Sequence, residues 1–251
     1  MFSLARITPT SRPLSAVPRP LLLAFAACLV LQIAWGLAIP KPTAQAQALP
    51  QAPDTRTLRL ASLGEPIALA QLLALYLQAF DNQPGISIPF RKLDYTRVIA
   101  WLSPMLDLDP RGQYPLLMAS QLYAEVPDEI RQRQMLAFIE QRFYADPQRR
   151  WPWLAHGAIV AKHRLHDLPL ALRYAQGIAR NATGKNVPHW AQQMPIFILE
   201  EMGEAQSAKI MLGALLASGS ISDPHEIHFL TGRLKALEQQ NVGISSRPST
   251  Y

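Results

Sequence analysis

The chain has 251 residues and a formal net charge of +6 at pH 7, and 49% of its residues are hydrophobic. Its single cysteine excludes an internal disulfide bond and any metal site built from several thiolates. After about 55 N-terminal residues are set aside for the segments described next, roughly 190 residues remain, which is ample for one domain with a core.

An apolar run without a charged residue extends from Leu21 to Ile39. At about 1.5 Å per residue, a helix of this length crosses a hydrocarbon core that is about 30 Å thick. Gln32 is its one clearly polar side chain, Cys28 lies inside it, and Trp35 stands near its far end, where interfacial aromatic residues are common. The run predicts a single transmembrane helix over residues 21–39.

Residues 1–20 form a basic tail, with Arg6, Arg12 and Arg19 in front of the run, whereas only Lys41 follows it closely. Positive residues favour the cytoplasmic side of a membrane. We therefore expect a single-pass protein of the inner (plasma) membrane, with a cytoplasmic N-terminus and a periplasmic or extracytoplasmic C-terminal domain. The lack of cysteine after Cys28 fits an oxidising compartment.

Other interpretations of the N-terminus stay open. The small residues Ala44, Ala46 and Ala48 offer cleavage sites that would release a secreted protein, although the run is longer than the core of a typical signal peptide. A lipoprotein signal ending at Cys28 fits less well, because the apolar run continues at Leu29. The first 53 residues contain no acid, as in an organelle transit peptide.

Two segments lack helical periodicity. Residues 40–56 are rich in Pro, Ala and Gln, and because proline favours extended backbone they predict a semi-rigid linker. Residues 239–251 predict a flexible tail. The folded domain is therefore expected over residues 57–238.

The first helix of this domain is predicted from its start signals and its apolar stripe. Ser62 and Glu65 match a capping box, and Pro66 suits the first turn of a helix that extends through Phe80. Apolar side chains at three- and four-residue steps predict one buried face: Leu69, Leu72, Leu73, Tyr76, Leu77 and Phe80.

Helical periodicity continues after a break at residues 82–85. A second helix is predicted from Leu93 or Asp94 to Leu106, and the strand-like piece Ile86–Ile88 is too short to build a sheet. The fold class predicted for the whole chain is all-α.

Short motifs then recur at a spacing of 37 residues. Asp109–Pro110 is repeated as Asp146–Pro147, and Asp223–Pro224 marks a third block. The segment His166–Ala171 is matched by Gly203–Ala208 at the same spacing. Each block contains two amphipathic segments, and such periods are typical of stacked helical hairpins.

These motifs, together with the LDLDP peptide at residues 106–110, resemble tetratricopeptide repeats over about Thr57 to Leu237. The spacing is a few residues longer than the usual repeat, and the glycine of the first helix is not regularly placed. The resemblance implies an α-solenoid with a concave groove for peptides or partner proteins, and it implies no catalytic residues.

The positive charge is concentrated in one segment. From residue 131 to residue 185 ten basic residues face three acidic ones, so this segment carries +7 and the rest of the chain −1. Its peptide RRWPW could form a cation–π recognition surface, or its indoles could fill the core at a repeat junction. The candidate partner-binding residues are Arg149, Arg150, Trp151, Trp153, Arg164 and Arg173.

Three histidines at spacings of seven and three are the only candidates for metal chemistry. His156, His163 and His166 would lie on roughly one face of a helix, with Asp167 as the nearest acid. Zinc requires three or four ligands in tetrahedral geometry, which this spacing does not supply, so no metal site and no cofactor are expected. No nucleophile motif or phosphate loop is present, and the chain is not expected to be an enzyme.

Together these features predict a membrane-anchored scaffold that binds a protein or peptide of the cell envelope. Nucleic acid is not an expected partner, because the predicted compartment lacks it, and the residues predict no oligomeric state. An envelope enzyme or metal-binding accessory protein that uses the three histidines is the alternative, as is a solenoid secreted after signal cleavage.

Overall fold

The computed structural model describes residues 17–39, 46–219 and 221–245, with side chains up to residue 239. The described residues are mostly helical, which confirms the all-α class, and they divide into two units, Met1–Gln45 and Ala46–Tyr251. Most of the predicted basic tail, residues 40–45 of the linker and residues 246–251 of the C-terminal tail lie outside the described residues.

The described part of the first unit is one helix, α1, Arg19–Ala38. It begins two residues before the predicted run because Pro20 is tolerated in a first turn, where no N–H is needed, and it ends where Ile39 turns to extended backbone. None of its residues is buried, and it is long and apolar enough to cross a membrane. The predicted anchor residues Leu21, Cys28, Gln32 and Trp35 all lie in α1.

The described part of the second unit is a chain of helices with one small hairpin. The hairpin pairs β1, Asn82–Gln83, with β2, Ile86–Ser87. A 3₁₀ turn at Phe90–Lys92 and a π-helical turn at Ala119–Tyr123 also occur. The helices are α2 Thr55–Ala61, α3 Pro66–Ala79, α4 Tyr95–Leu108, α5 Tyr114–Met118, α6 Glu129–Phe143, α7 Pro147–His163, α8 Leu168–Asn181, α9 His189–Glu201, α10 Ala205–Ala217 and α11 Pro224–Ser245.

Aspartates cap five of these helices. Each accepts a hydrogen bond from a backbone N–H two or three residues further on, which satisfies a donor that the first turn leaves free: Asp54, Asp94, Asp128, Asp167 and Asp223. The predicted capping box at Ser62 is wrong. The Ser62 hydroxyl donates to the carbonyl oxygen of Arg59 at 2.7 Å, so this residue closes α2 instead of capping α3.

The buried face of α3 also differs from the prediction. Its fully buried residues are Ala70, Ala74 and Leu77, whereas Leu72 and Tyr76 are exposed. Leu77 belongs to the predicted stripe and is buried as expected, and the partly buried stripe residues that pack against the core are Leu69, Leu73 and Phe80. The buried face thus keeps part of the predicted stripe and adds two small residues that the prediction left out.

The second half of the predicted linker belongs to the folded unit. Leu49 is buried, its carbonyl oxygen accepts a hydrogen bond from Arg97, and that of Pro50 accepts one from the Trp101 indole at 2.9 Å. The Gln47 N–H donates to the side chain of Gln83 at 2.8 Å. Residues 46–54 are therefore packed against the domain, and the sequence missed this because proline-rich composition does not reveal long-range contacts.

Helices that follow one another from α2 to α11 pack together, except that α5 and α6 are linked through the π-helical turn Ala119–Tyr123, which contacts both; α2, α4 and α6 are also in contact in that order. A large apolar core extends from Leu49 to Ile198, and a smaller one lies among α9, α10 and α11, with Leu172 in contact with both. Ala171 and Ala208 are completely buried, as close helix packing requires.

The repeated motifs occupy unequal structural positions. Pro147 and Pro224 each begin a helix, but Pro110 lies in a turn, four residues before α5 begins. Asp167 and Glu204 do correspond, because each stands immediately before a helix, α8 and α10 respectively. The predicted tail from residue 239 differs too, since the α11 backbone continues to Ser245.

Candidate functional site

Arg150, predicted to contact a partner, is instead part of the interior. Only 4% of this residue is exposed, and its guanidinium donates to the carbonyl oxygens of Arg142 at 2.6 Å and Pro110 at 3.0 Å. Burial lowers the pKa of the guanidinium because the charged form loses hydration. Arg150 thus ties the start of α7 to the α4–α5 turn and is not available to a partner.

Most of the other basic residues of the segment pair with acids, many of them from outside it, whereas no ion pair to Arg180 or Lys185 is found among the described residues. Arg164 pairs with Glu125 at 2.8 Å and Arg173 with Glu140 at 2.8 Å. The remaining pairs are Arg131 with Asp128, Arg133 with Glu129 and Asp167, Arg142 with Asp107, Arg149 with Asp146, and Lys162 with Glu201. The surface formed by this segment is therefore less positive than the charge of the segment alone suggests.

Asp167 illustrates this compensation. Its carboxylate accepts a hydrogen bond from Arg133 at 2.7 Å and another from the Leu170 N–H at 2.9 Å. These two donors hold the pKa of the Asp167 carboxyl below its usual range, because both favour the charged form.

The two predicted tryptophans are partly buried and pack against the large core. The Trp153 indole donates to the Gln113 side chain at 2.7 Å, and Trp151 meets Trp190 edge-to-face with ring centroids 5.4 Å apart. The cation–π contacts found among the described residues join arginines to Tyr95, Phe138 and Tyr174. Neither Trp151 nor Trp153 takes part in these contacts, and their packing against the core agrees with the second of the two alternatives for RRWPW.

The three histidines are not arranged on one helix. His163 is the last residue of α7, and His166 lies beyond it with φ of 51°. His156 contacts the Glu125 carboxylate at 3.0 Å. Within the described ranges, no group of three or more His, Cys, Asp or Glu side chains is placed to hold a metal ion.

An apolar groove of about 490 Å³ lies between α3 and the turn from α4 to α5. Its floor is made by the buried side chains of Ala70, Ala74 and Met105. Leu75, which is 60% exposed, and Tyr114 stand at its rim. Because Ala70 and Ala74 are small, the floor leaves space for side chains of another molecule.

Asp109 gives the groove one charged wall. Its carboxylate accepts a hydrogen bond from the Gly112 N–H at 3.0 Å, and a Cβ on Gly112 would lie only 2.5 Å from the other carboxylate oxygen. Glycine is therefore required for the carboxylate to lie in this position. Gln71 adds a neutral polar group, so the groove combines an apolar floor with one negative charge.

A second cavity, of about 570 Å³, is lined by Lys162, Glu200, Glu201 and Arg233 together with apolar side chains. Its charges already pair with each other, Lys162 with Glu201 and Arg233 with Glu200. A charged ligand here would have to replace these ion pairs. In the α3 groove, no ion pair between lining residues is found in the described part of the chain.

The sequence did not point to the α3 groove. The spacing of Ala70 and Ala74 by four residues could have indicated the groove, because small residues on one helix face allow close packing or leave a depression.

Comparison with known proteins gave no match to a family model, to a curated protein or to a solved structure. The α3 groove is therefore identified by its geometry alone.

Proposed function

We propose that this chain is a single-pass membrane-anchored helical-repeat protein that binds a segment of an envelope protein in the α3 groove. The observation that carries the proposal is the groove itself, an open apolar depression with one negative wall at Asp109. Pockets with an apolar floor and a few placed polar groups are the usual form of binding sites.

Membrane attachment is supported by α1, which is long and apolar and buries none of its residues. The three arginines that precede or begin α1 favour a cytoplasmic N-terminus and an exported second unit.

The repeat assignment is supported by the sequential packing of α6 to α11 and by the 37-residue spacing of α8 and α10. A tetratricopeptide-like solenoid is consistent with both features, and solenoids of this kind offer extended surfaces to peptides.

The chemistry of the groove defines the partner segment. The floor fits a Leu, Ile, Met or Phe side chain, and Asp109 fits a neighbouring Lys or Arg. The partner is therefore expected to present an apolar side chain next to a basic one, on a helix or an extended segment.

The test is site-specific photo-crosslinking in native membranes, with a benzophenone amino acid at Leu75 of the full chain. Ile210 of α10 is the matched control, because it is 62% exposed and Leu75 is 60% exposed. We expect a crosslinked segment at Leu75 that contains an apolar residue beside Lys or Arg, and no such product at Ile210.

A synthetic peptide with the crosslinked sequence then measures affinity for the full chain. Leu75→Arg should weaken binding by about tenfold or more, equivalent to about 1.4 kcal/mol, and Ile210→Arg should not. Asp109→Asn keeps an acceptor for the Gly112 N–H but removes the charge, so it should reduce the salt dependence of binding. Equal effects of Leu75→Arg and Ile210→Arg would refute the assignment of the α3 groove.

A further inference from the structure

The corner between α2 and α3 exposes three large apolar side chains. Leu60 is 80% exposed, Leu63 is 92% exposed and Ile67 is 53% exposed. The two helices are bent by 113° at this corner, so the connecting turn projects from the domain instead of lying against it. Projecting apolar side chains cost solubility and contribute nothing to the core.

The backbone at Leu63 makes this exposure more significant. Leu63 has φ of 50°, a left-handed conformation that a residue with a Cβ rarely adopts and that glycine adopts freely. The other described non-glycine residue with positive φ is His166, whose side chain is polar. The backbone would accept glycine at position 63, so the fold does not require leucine there.

The charges around the corner suit a lipid surface. Arg56 and Arg59 on α2 are exposed, and no ion pair to either is found among the described residues. Glu65 is the one acid in the turn, and it stands at the N-terminus of α3, where a negative charge is favoured. The helix α3 itself contains no charged residue.

The length of the chain limits how far Gln47 can be from the end of α1. Gln47 is held to the folded unit by hydrogen bonds with Gln83, and α1 ends at Ala38. Whatever the arrangement of the two units, the peptide between Ala38 and Gln47 can extend to about 30 Å at most.

We propose that the α2–α3 corner inserts Leu60, Leu63 and Ile67 into the interfacial layer of the bilayer that α1 spans, with Arg56 and Arg59 at anionic headgroups. The inference rests on the proposed anchoring by α1. Apolar side chains next to arginines are the composition of segments that lie in a membrane interface.

A lipid surface fits the shape of the corner better than a second protein does. Protein interfaces need complementary surfaces of considerable area, whereas this corner is a projecting turn with three apolar side chains. A fluid interface accommodates such a projection without a matching cavity. The corner is also distinct from the α3 groove, whose α3 residues begin at Ala70.

The test uses the full chain in vesicles of phosphatidylcholine with phosphatidylglycerol, and spin labels report depth. Cys28 is the only cysteine, so the Cys28→Ser protein can carry one new cysteine, either Leu63→Cys or the control Ile210→Cys. In a third sample, a label on the native Cys28 reports the depth of α1. Oxygen partitions into lipid and a nickel chelate into water, so their relative collision rates measure depth.

We expect the label at position 63 to collide more with oxygen than with nickel, at a depth of about 5–10 Å, and the label at 210 to show the reverse. Equal, water-like exposure at 63 and 210 would overturn the inference. If the label at position 63 is protected from both reagents, and if its spectrum shows spin–spin broadening that disappears when unlabelled protein is added, the corner contacts a second copy of the chain. That result would also overturn the inference.

The same data separate this inference from the proposed anchoring. A deep label at Cys28 with a water-exposed label at 63 removes only the inference, whereas a water-exposed label at Cys28 removes the anchoring as well. Arg56→Gln with Arg59→Gln should make the label at 63 shallower in the anionic vesicles and not in pure phosphatidylcholine. An unchanged depth would refute the headgroup contact.

Discussion

Arg149 and Arg150 are adjacent in sequence and occupy different environments. Arg149 is half-exposed and pairs with Asp146, a contact within one helix turn. Arg150 is buried and bridges carbonyl groups of Arg142 and Pro110, the latter forty positions earlier in the chain. The sequence predicted the same role for both, because a local pattern does not contain the position of Pro110.

Arg150→Ala is therefore expected to destabilise the fold by about 2–3 kcal/mol, since two carbonyl oxygens lose their charged donor and a void remains where the buried side chain was. Arg149→Ala should change the free energy of unfolding by no more than about 0.5 kcal/mol, as surface ion pairs do. Chemical denaturation of the full chain in detergent micelles measures both. If Arg150→Ala lowers the free energy of unfolding no more than Arg149→Ala does, the interior position of Arg150 is contradicted.

Leu63→Gly should stabilise the protein by about 0.5–1 kcal/mol, because glycine adopts the left-handed backbone without steric cost and little contact is lost at an exposed side chain. His166→Gly is the matched variant, with almost the same φ. Thermal unfolding of both variants checks the effect. Only Leu63→Gly should also reduce the membrane contact of the α2–α3 corner, and destabilisation by both would show that the two turns are not strained.

At the scale of elements, most helix positions follow from local signals. Asp94 caps α4, whose start was predicted at Leu93 or Asp94, and α8 begins inside the recurring segment His166–Ala171. The helices α7 and α8 agree with the prediction of two amphipathic segments in one block. Burial was harder to predict. On α3 the larger apolar residues suggested the inward face, but Ala70 and Ala74 share it with Leu77, while Leu72 and Tyr76 are exposed.

The start of α8 should show pH dependence through Asp167. The pKa of this carboxyl is lower in the folded protein than in an unfolded chain, where it is about 3.9, so its stabilising contribution is complete above that value. It is lost as the pH falls through the folded pKa.

Asp167→Asn keeps an oxygen for the Leu170 N–H but loses the charge that pairs with Arg133. The difference in free energy of unfolding from the wild type should be largest at pH 7 and should shrink below about pH 4. Asp167→Ala loses the cap as well and should cost about 1 kcal/mol more at any pH. If the difference in free energy of unfolding between the wild type and Asp167→Asn does not change with pH, the stabilising role of the carboxylate is contradicted.

At the scale of the whole molecule, the N-terminal helix and the folded unit make separate predictions. If α1 is an uncleaved anchor, the intact mass of the mature protein includes residues 1–44, and the protein resists alkaline extraction from membranes. A mature N-terminus between Ala44 and Leu49 would instead show cleavage and a secreted domain.

Topology has its own test in the same chain. In the Cys28→Ser background, Ile210→Cys should react with a membrane-impermeant maleimide added outside intact cells or spheroplasts, because the second unit is expected on that side. Reaction only after the membrane is broken would place the domain in the cytoplasm and remove envelope proteins as partners.

The sequence by itself determined the apolar helix α1 and the succession of helices after it, because hydropathy, capping residues and helical periodicity act over a few neighbouring positions. Only the tertiary structure decided that Arg150 is buried, that Leu49 belongs to the core, and that the α3 groove is open. Each of these depends on contacts between residues that are far apart in the chain, and periodicity within one helix contains no information about which neighbour will cover which face.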